Sequence, residues 1–314
     1  MVSVDLRRML IVRLATAAVI AVIAASGCSP AARPAAAPGL DGTYRVTIDG
    51  RRTHRDGVAY PEPSTAVQWA FRSACRGDAC VAVAVAVSEQ DPPKTGEPAV
   101  WDLVDGAWVK TVDGQLNCGG VPTPTLETWS LRPADGGGLT GTRHLAFFGP
   151  GCGAVLEQSV IVERIGDVKP AVALPDPAAQ PPLIRSAGAG LRGRYQKIQT
   201  YPGRPPLPVV ELAVRTNCIR NTEHCLTYTV YEPPDKPRRV SGYRLRDRMW
   251  TAAVPYDGAC PDGAPVRVTV ETGWAMPPQV TDPIVRLVGT QRDVYAEPCA
   301  NTVESQLVLQ RIGD

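Results

Sequence analysis

The stretch CGAVLEQSVIVERIGD at 152–167 returns without a gap as CANTVESQLVLQRIGD at 299–314. In SVIVER and QLVLQR large apolar residues alternate with other side chains, the period-two pattern of a half-buried strand. Both copies end on Arg-Ile-Gly-Asp, and the second ends at Asp314. Working outward, more phrases pair in the same order. LDGTY (40–44) matches LRGRY (191–195), WAFRSAC (69–75) matches LAVRTNC (212–218), and LVDGAW (103–108) matches LRDRMW (245–250). DGQLNC (113–118) shortens to DGAC (257–260), LETWSLRP (126–133) becomes VETGWAMPP (270–278), and LTGTR (139–143) becomes LVGTQ (287–291). A unit of about 125 residues is too long for a solenoid repeat and fits a whole domain.

The expected organisation is a leader at 1–27, a Cys and Ala/Pro tether at 28–39, and a first β-domain at 40–167. A Pro/Ala-rich linker at 168–190 and a second β-domain at 191–314 follow. RIGD then closes each domain, and the chain stops where the second is complete.

Strand signals dominate each copy. CVAVAVAVS places Val81, Val83, Val85 and Val87 on one face and Ala82, Ala84 and Ala86 on the other. The small alanines suit a face packed closely on other structure, or the tight interior of a barrel. Asp105-Gly106 is a hairpin turn pair. No sustained 3.6-residue apolar stripe follows the leader. Seven or eight short strands per copy predict an all-β fold: two homologous antiparallel meanders, closed as barrels or nearly so. The L-x-G-x-Y opening with a distant W-x-F resembles the start of lipocalin-like barrels.

Arg7, Arg8 and Arg13 precede the apolar run Leu14–Ala25. As a helix that run is roughly 18 Å long, short of the ~30 Å of bilayer hydrocarbon, so it reads as an export signal. Ala25-Ser26-Gly27-Cys28 resembles the bacterial lipobox, which implies a diacylglycerol on Cys28 and an anchor on the outer side of the cell membrane. A plain secretory signal is the alternative. The formal charge of +2 is already supplied by the leader, with three arginines against Asp5. A neutral remainder gives no electrostatic reason to expect nucleic acid.

Beyond Cys28, eight cysteines fall into two fours: Cys75, Cys80, Cys118 and Cys152, then Cys218, Cys225, Cys260 and Cys299. An even set in an exported chain reads as a disulfide framework. Structural zinc is the rival, but each half has only one close pair where zinc sites use two. Four cysteines allow three pairings and the sequence does not choose. The favoured one is 75–80 with 118–152, and 218–225 with 260–299, so that short pairs close tight loops and long pairs staple distant strands.

Candidate chemistry is sparse. His54, His144 and His224 match no position in the other copy and sit in no catalytic motif. Glu157 and Glu304 recur after the last Cys of each copy, and Glu127 and Glu271 recur before Trp129 and Trp274. A two-carboxylate hydrolase is one reading. Ion pairs with Arg72, Arg215, Arg164 and Arg311 are the favoured one, since recurrence in both copies argues for a role in the fold. Trp108, Trp129, Trp250 and Trp274 are candidate walls of a ligand cavity, weighed against plain core packing. Cys75-Arg76-Gly77-Asp78-Ala79-Cys80 has the form of a disulfide-held Arg-Gly-Asp adhesion loop, but CIRNTEHC replaces it in the second copy. No metal site and no cofactor is expected.

The leader, lipobox, four-cysteine copies and Ala/Arg/Pro-rich composition together resemble secreted lipoproteins of mycobacteria and related actinobacteria. The repeated pattern is similar to extracytoplasmic domains of envelope proteins, some of them linked to serine/threonine kinases. The chain itself has no glycine-rich phosphate loop and no kinase catalytic-loop signature. The expected function is therefore non-enzymatic binding of an apolar envelope molecule, a glycan or a partner protein, with a structural or sensing surface module as the other class.

Overall fold

The structure, a computed structural model, describes residues 39–88, 95–149, 152–233 and 238–314. The leader and Cys28 lie outside them. Copy one comprises β1 (Gly42–Arg55), β2 (Val58–Ala59), β3 (Thr65–Arg76), β4 (Ala79–Val87), β5 (Ala99–Val104), β6 (Ala107–Cys118), β7 (Val121–Pro133), β8 (Leu139–Gly149) and β9 (Cys152–Gly166). β2 is a two-residue addition on the end of β1. The other eight strands form an antiparallel meander, and β9 returns to β1 with Val46 opposite Val162, which closes a barrel. Copy two comprises β10 (Gly193–Thr200), β11 (Val210–Cys218), β12 (Cys225–Tyr231), β13 (Arg239–Arg246), β14 (Met249–Ala259), β15 (Pro265–Ala275), β16 (Arg286–Tyr295) and β17 (Asn301–Gly313). It is likewise a closed eight-stranded barrel. The fold is all-β, as the alternation implies.

The repeated phrases are the two halves of a clasp that closes each barrel. Gly42 has φ +130° and Gly193 φ +111°, a region glycine enters without steric cost. A side chain there would meet the Gly166 carbonyl at 2.7 Å in one barrel and the Gly313 carbonyl at 2.5 Å in the other. The first–last ladder shifts register at these points, between Thr43 and Tyr44 and between Arg194 and Tyr195. Into the gap reaches the Arg of RIGD. Arg164 Nε donates to the Asp41 carbonyl at 3.1 Å and Arg311 Nε to the Arg192 carbonyl at 3.4 Å. Their guanidinium tips pair with Asp167 and Asp314. Beneath the clasp Tyr44 and Tyr195 are buried.

β4 shows how alternation becomes packing. Ala82 and Ala84 face the interior, where their small size leaves room for Phe71, Trp101, Trp108 and Leu131. Val85 and Val87 face outward and are covered by Val168, Val172 and Leu174. Residues 168–190, the Pro/Ala-rich linker, thus form a strap packed on β4 through Val168, Val172 and Leu174. Arg220 donates to the Pro181 carbonyl and Asn221 to that of Pro182, fastening the strap to the β11–β12 turn.

Disulfides join Cys75 to Cys80 and Cys218 to Cys225 across the β3–β4 and β11–β12 hairpins. Cys118 joins Cys152, and Cys260 joins Cys299, between segments far apart in sequence. The barrels meet through Leu126, Ala146 and Val155 of the first and Leu226, Tyr228 and Val230 of the second. Arg220 grips Asp102 across this contact with bonds of 2.8 and 3.1 Å, both side chains being largely buried. The described residues form one compact unit.

Candidate functional site

Both barrels have a weak seam in the same place. β5 and β6 pair through three positions only, Asp102 with Val109, Leu103 with Trp108 and Val104 with Ala107. β13 and β14 likewise pair only at Arg244–Thr251, Leu245–Trp250 and Arg246–Met249. Beyond these pairs the strands diverge. Among the described residues Lys110–Cys118 then has β7 alone as a strand partner, and Ala252–Ala259 has β15 alone. The two copies treat this opening differently.

In the first barrel it is filled. Lys110 points inward, 8% exposed, with its ammonium 4.6 Å from the Trp69 ring centroid and 5.1 Å from those of Trp101 and Trp129. Burial lowers its pKa to about 8, against a smaller upward pull from Glu127. Burial pushes Glu127 up, but the hydrogen bond and charge of Arg143 at 2.6 Å, with Trp129 and Lys110, hold it below the ordinary carboxylate value. Trp129 Nε1 donates to Glu127, and Arg143 also donates to Gln158 at 2.5 Å. What remains of the opening is a space of about 140 Å³ beside Trp69, Glu97 and Lys110.

Register identifies the counterparts. Trp108, Leu131 and Gly141 stand opposite one another as Trp250, Trp274 and Gly289 do. Two residues further on, Lys110 corresponds to Ala252 and Trp129 to Thr272. By the neighbouring ladders Trp101 corresponds to Tyr243 and Trp69 to Leu212. A lysine and three tryptophans are replaced by smaller groups: Leu212 and Tyr243 stay packed in the core, while Ala252 and Thr272 line a cleft of about 810 Å³. Its walls are Val240–Gly242 and Arg244 of β13 and Thr251–Pro255 of β14, with Phe148 of the first barrel at the rim. A second groove of about 860 Å³ runs along the other side of the inter-barrel contact and shares Arg244. Burial lowers the pKa of Arg244, and Arg246 adds to the effect. A third concavity, about 320 Å³, lies under the strap near Arg76, Pro177 and Arg220.

The same register corrects the sequence match of the carboxylates and tryptophans. Glu127 corresponds to Val270, not Glu271, and Trp274 corresponds to Leu131, not Trp129. Glu157 and Glu304 are true counterparts. Glu157 bonds His144 at 3.2 Å, which lowers its pKa, and Glu304 pairs with Arg292 at 3.2 Å. Glu271 also pairs with Arg292, at 3.4 Å. Each recurrent carboxylate is thus engaged by a cationic or imidazole partner, and no two form an open pair.

Nor do the four tryptophans build a ligand cavity. Trp108 and Trp250 are 0% exposed core residues, Trp129 belongs to the Lys110 cluster, and Trp250 and Trp274 border a space of only about 10 Å³. Arg76 of the Arg-Gly-Asp turn donates to the Ala178 carbonyl at 2.9 Å, so it is held against the strap. His54 and His224 are exposed. Among the described residues no cluster of three or more His, Cys, Asp or Glu side chains could hold a metal ion, and no helix is long and apolar enough to cross a membrane.

Sequence reading missed Lys110, Trp69, Trp101 and Arg143, and it missed the seam. Lys110 carried one signal: it is among only five lysines in the chain and lies in a strand phrase, AWVKTV, at an inward position two after Trp108.

Comparison with known proteins bears on the first copy. The model of the PknI serine/threonine-protein kinase sensor domain family matches residues 37–179. Serine/threonine-protein kinase PknI of Mycobacterium tuberculosis and that of Mycobacterium bovis are each 31% identical over 156 residues, 45% of this chain and 27% of theirs. The matched region is thus about a quarter of the length of those kinases. The solved monomer form of the M. tuberculosis PknI sensor domain is 30% identical and covers 45% of this chain and 98% of that one, with a TM-score of 0.40. The first barrel is therefore similar in sequence to a kinase-linked sensor domain.

Proposed function

We propose that this chain is an extracytoplasmic binding module without catalytic activity, anchored to the outer side of the membrane by a lipid on Cys28, and that it engages a partner protein in the cleft between its barrels. One observation carries the reading. The barrel interiors are filled, leaving spaces of about 140 and 10 Å³, while the walls between and beside the barrels leave clefts of about 810 and 860 Å³. Ligand pockets run to about 300–1,000 Å³, so an apolar envelope molecule inside a barrel is disfavoured. Engagement of the recurrent glutamates in ion pairs supports the non-catalytic reading over a hydrolase. Likeness of residues 37–179 to a kinase sensor domain supports an extracytoplasmic sensing role.

A photo-crosslinking residue placed in living cells at Thr251 or Ala253, both exposed at the cleft, tests it against one at Ile161, exposed on β9. The cleft positions should capture one common protein and Ile161 should not. Equal capture from all three, or none, refutes the assignment. Cys28→Ala should move the protein from the detergent phase to the aqueous phase on partitioning, and an unchanged distribution refutes the anchor.

A further inference from the structure

The open seam of the second barrel has the chemistry of a strand acceptor. β14 from Ala252 to Ala259 is paired on one side only, and so is β13 from Arg239 to Tyr243. Backbone N–H and C=O groups on such an edge are left to water and are a ready template for a further strand. Pro255 sits in this edge, a residue that sheets admit at edges because it lacks a donor. Small residues, Ser241, Ala252, Ala253 and Gly273, line the cleft, so another backbone can approach. Gly242 is held small by the Phe148 ring of the first barrel, which any side chain there would strike.

Charge then selects the occupant. The β13 hairpin reads RRVSGYRLRDR over 238–248. Arg244, which lines the cleft, is tied to the neutral Pro124 carbonyl at 2.9 Å and has no ion-pair partner among the described residues, whereas the cleft's other arginine, Arg292, pairs with Glu271 at 3.4 Å. In the first barrel the corresponding phrase is VWDLVDGAW, with Asp102 where Arg244 stands, and Lys110 with its tryptophans fills the gap. The duplication has thus given one seam a plug and the other an open, basic edge.

We infer that the β13–β14 seam binds an acidic, extended segment of a partner polypeptide by strand addition, with its backbone on the open edge and its carboxylates toward Arg244. This rests on the cleft being the binding face, and it names how that face reads its partner.

The test uses the full-length chain in detergent and three fluorescent decapeptides: alternating Glu-Val, alternating Lys-Val, and the Glu-Val peptide N-methylated at every other residue. Glu-Val should bind saturably. Lys-Val should bind at least roughly tenfold more weakly, since like charges are juxtaposed. The N-methylated peptide, with the same charge and no ladder, should lose a similar factor. Hydrogen exchange should slow in Arg239–Tyr243 and Ala252–Ala259. Arg244→Glu should shift preference toward Lys-Val, whereas Arg246→Glu, at an exposed position on the second groove, should shift it far less. Equal binding of the N-methylated peptide would reduce the effect to bulk charge and overturn strand addition, as would preference unchanged in Arg244→Glu or no binding of Glu-Val. If Thr251 crosslinks a partner that Glu-Val does not displace, this inference fails and the cleft reading stands. If Thr251 crosslinks nothing, the cleft reading itself fails.

Discussion

Lys110→Met should make the protein more stable near neutral pH and abolish a gain in stability that the native chain makes as the pH rises through about 8. Lys110 is 8% exposed, and burial takes its pKa from 10.5 to about 8. Below the folded value both states carry the proton, so the whole burial cost falls on the folded state. Between the two values the unfolded chain binds more protons than the folded one, so stability rises with pH there. A tenfold difference in proton affinity between the two states is worth about 1.4 kcal/mol, which sets the full cost at about 3 kcal/mol below pH 8, and about 2 kcal/mol of it should be recovered between about pH 7 and 9.5. Three indole faces around the ammonium return part of the cost, each at roughly 0.5–2 kcal/mol, because they favour the charged form. Methionine keeps the stem length and polarizable bulk without the charge. Urea unfolding followed by tryptophan fluorescence should therefore show the stability advantage of the variant shrinking by about 2 kcal/mol from pH 7 to 9.5. Parallel pH profiles for the two proteins would refute the reasoning, since they would mean the ring faces fully offset burial.

Two further outcomes follow from the framework. Removing the Cys260–Cys299 bridge frees a loop with a sequence separation of 39 and should cost about 4 kcal/mol in the chain-entropy model. Removing Cys75–Cys80, with a separation of 5, should cost about half that in thermal or urea unfolding. Arg220→Met leaves the Asp102 carboxylate, largely buried at the barrel contact, without its partner, and should cost about 3 kcal/mol. Limited proteolysis should then cut the strap near Pro181 first, where an arginine bond has also been lost.

Much of the architecture is legible in the residues. Period-two alternation in SVIVER and CVAVAVAVS marks the strands, and the recurrence of LxGxY with RIGD marks two copies whose clasp the structure explains through Gly42, Arg164 and Asp167. Composition misleads on the strap because it reports solubility and stiffness. It does not report that Val168, Val172 and Leu174 will find the outward valines of β4. The carboxylate match fails for a different reason. Aligning LETW with VETGW places one Gly as an insertion, whereas hydrogen-bond register, anchored at Gly141 and Gly289, slides Glu127 onto Val270. A one-residue slip in a strand moves a side chain to the opposite face, so Glu127 lies inside with Arg143 while Glu271 lies outside with Arg292.

The sequence by itself determined the all-β fold, the duplication, the two matching sets of four cysteines and the absence of a recognisable catalytic motif. Each is written in local periodicity or in residue identity. Only the tertiary structure decided which seam is plugged and which is open. That depends on Lys110, Trp69, Trp101 and Trp129 converging from four strands on one point, and on the small Ala252 and Thr272 standing on the cleft where Lys110 and Trp129 stand in the first barrel. Convergence of residues distant in the chain is set by ladder register and barrel closure, and neither is written in any single stretch.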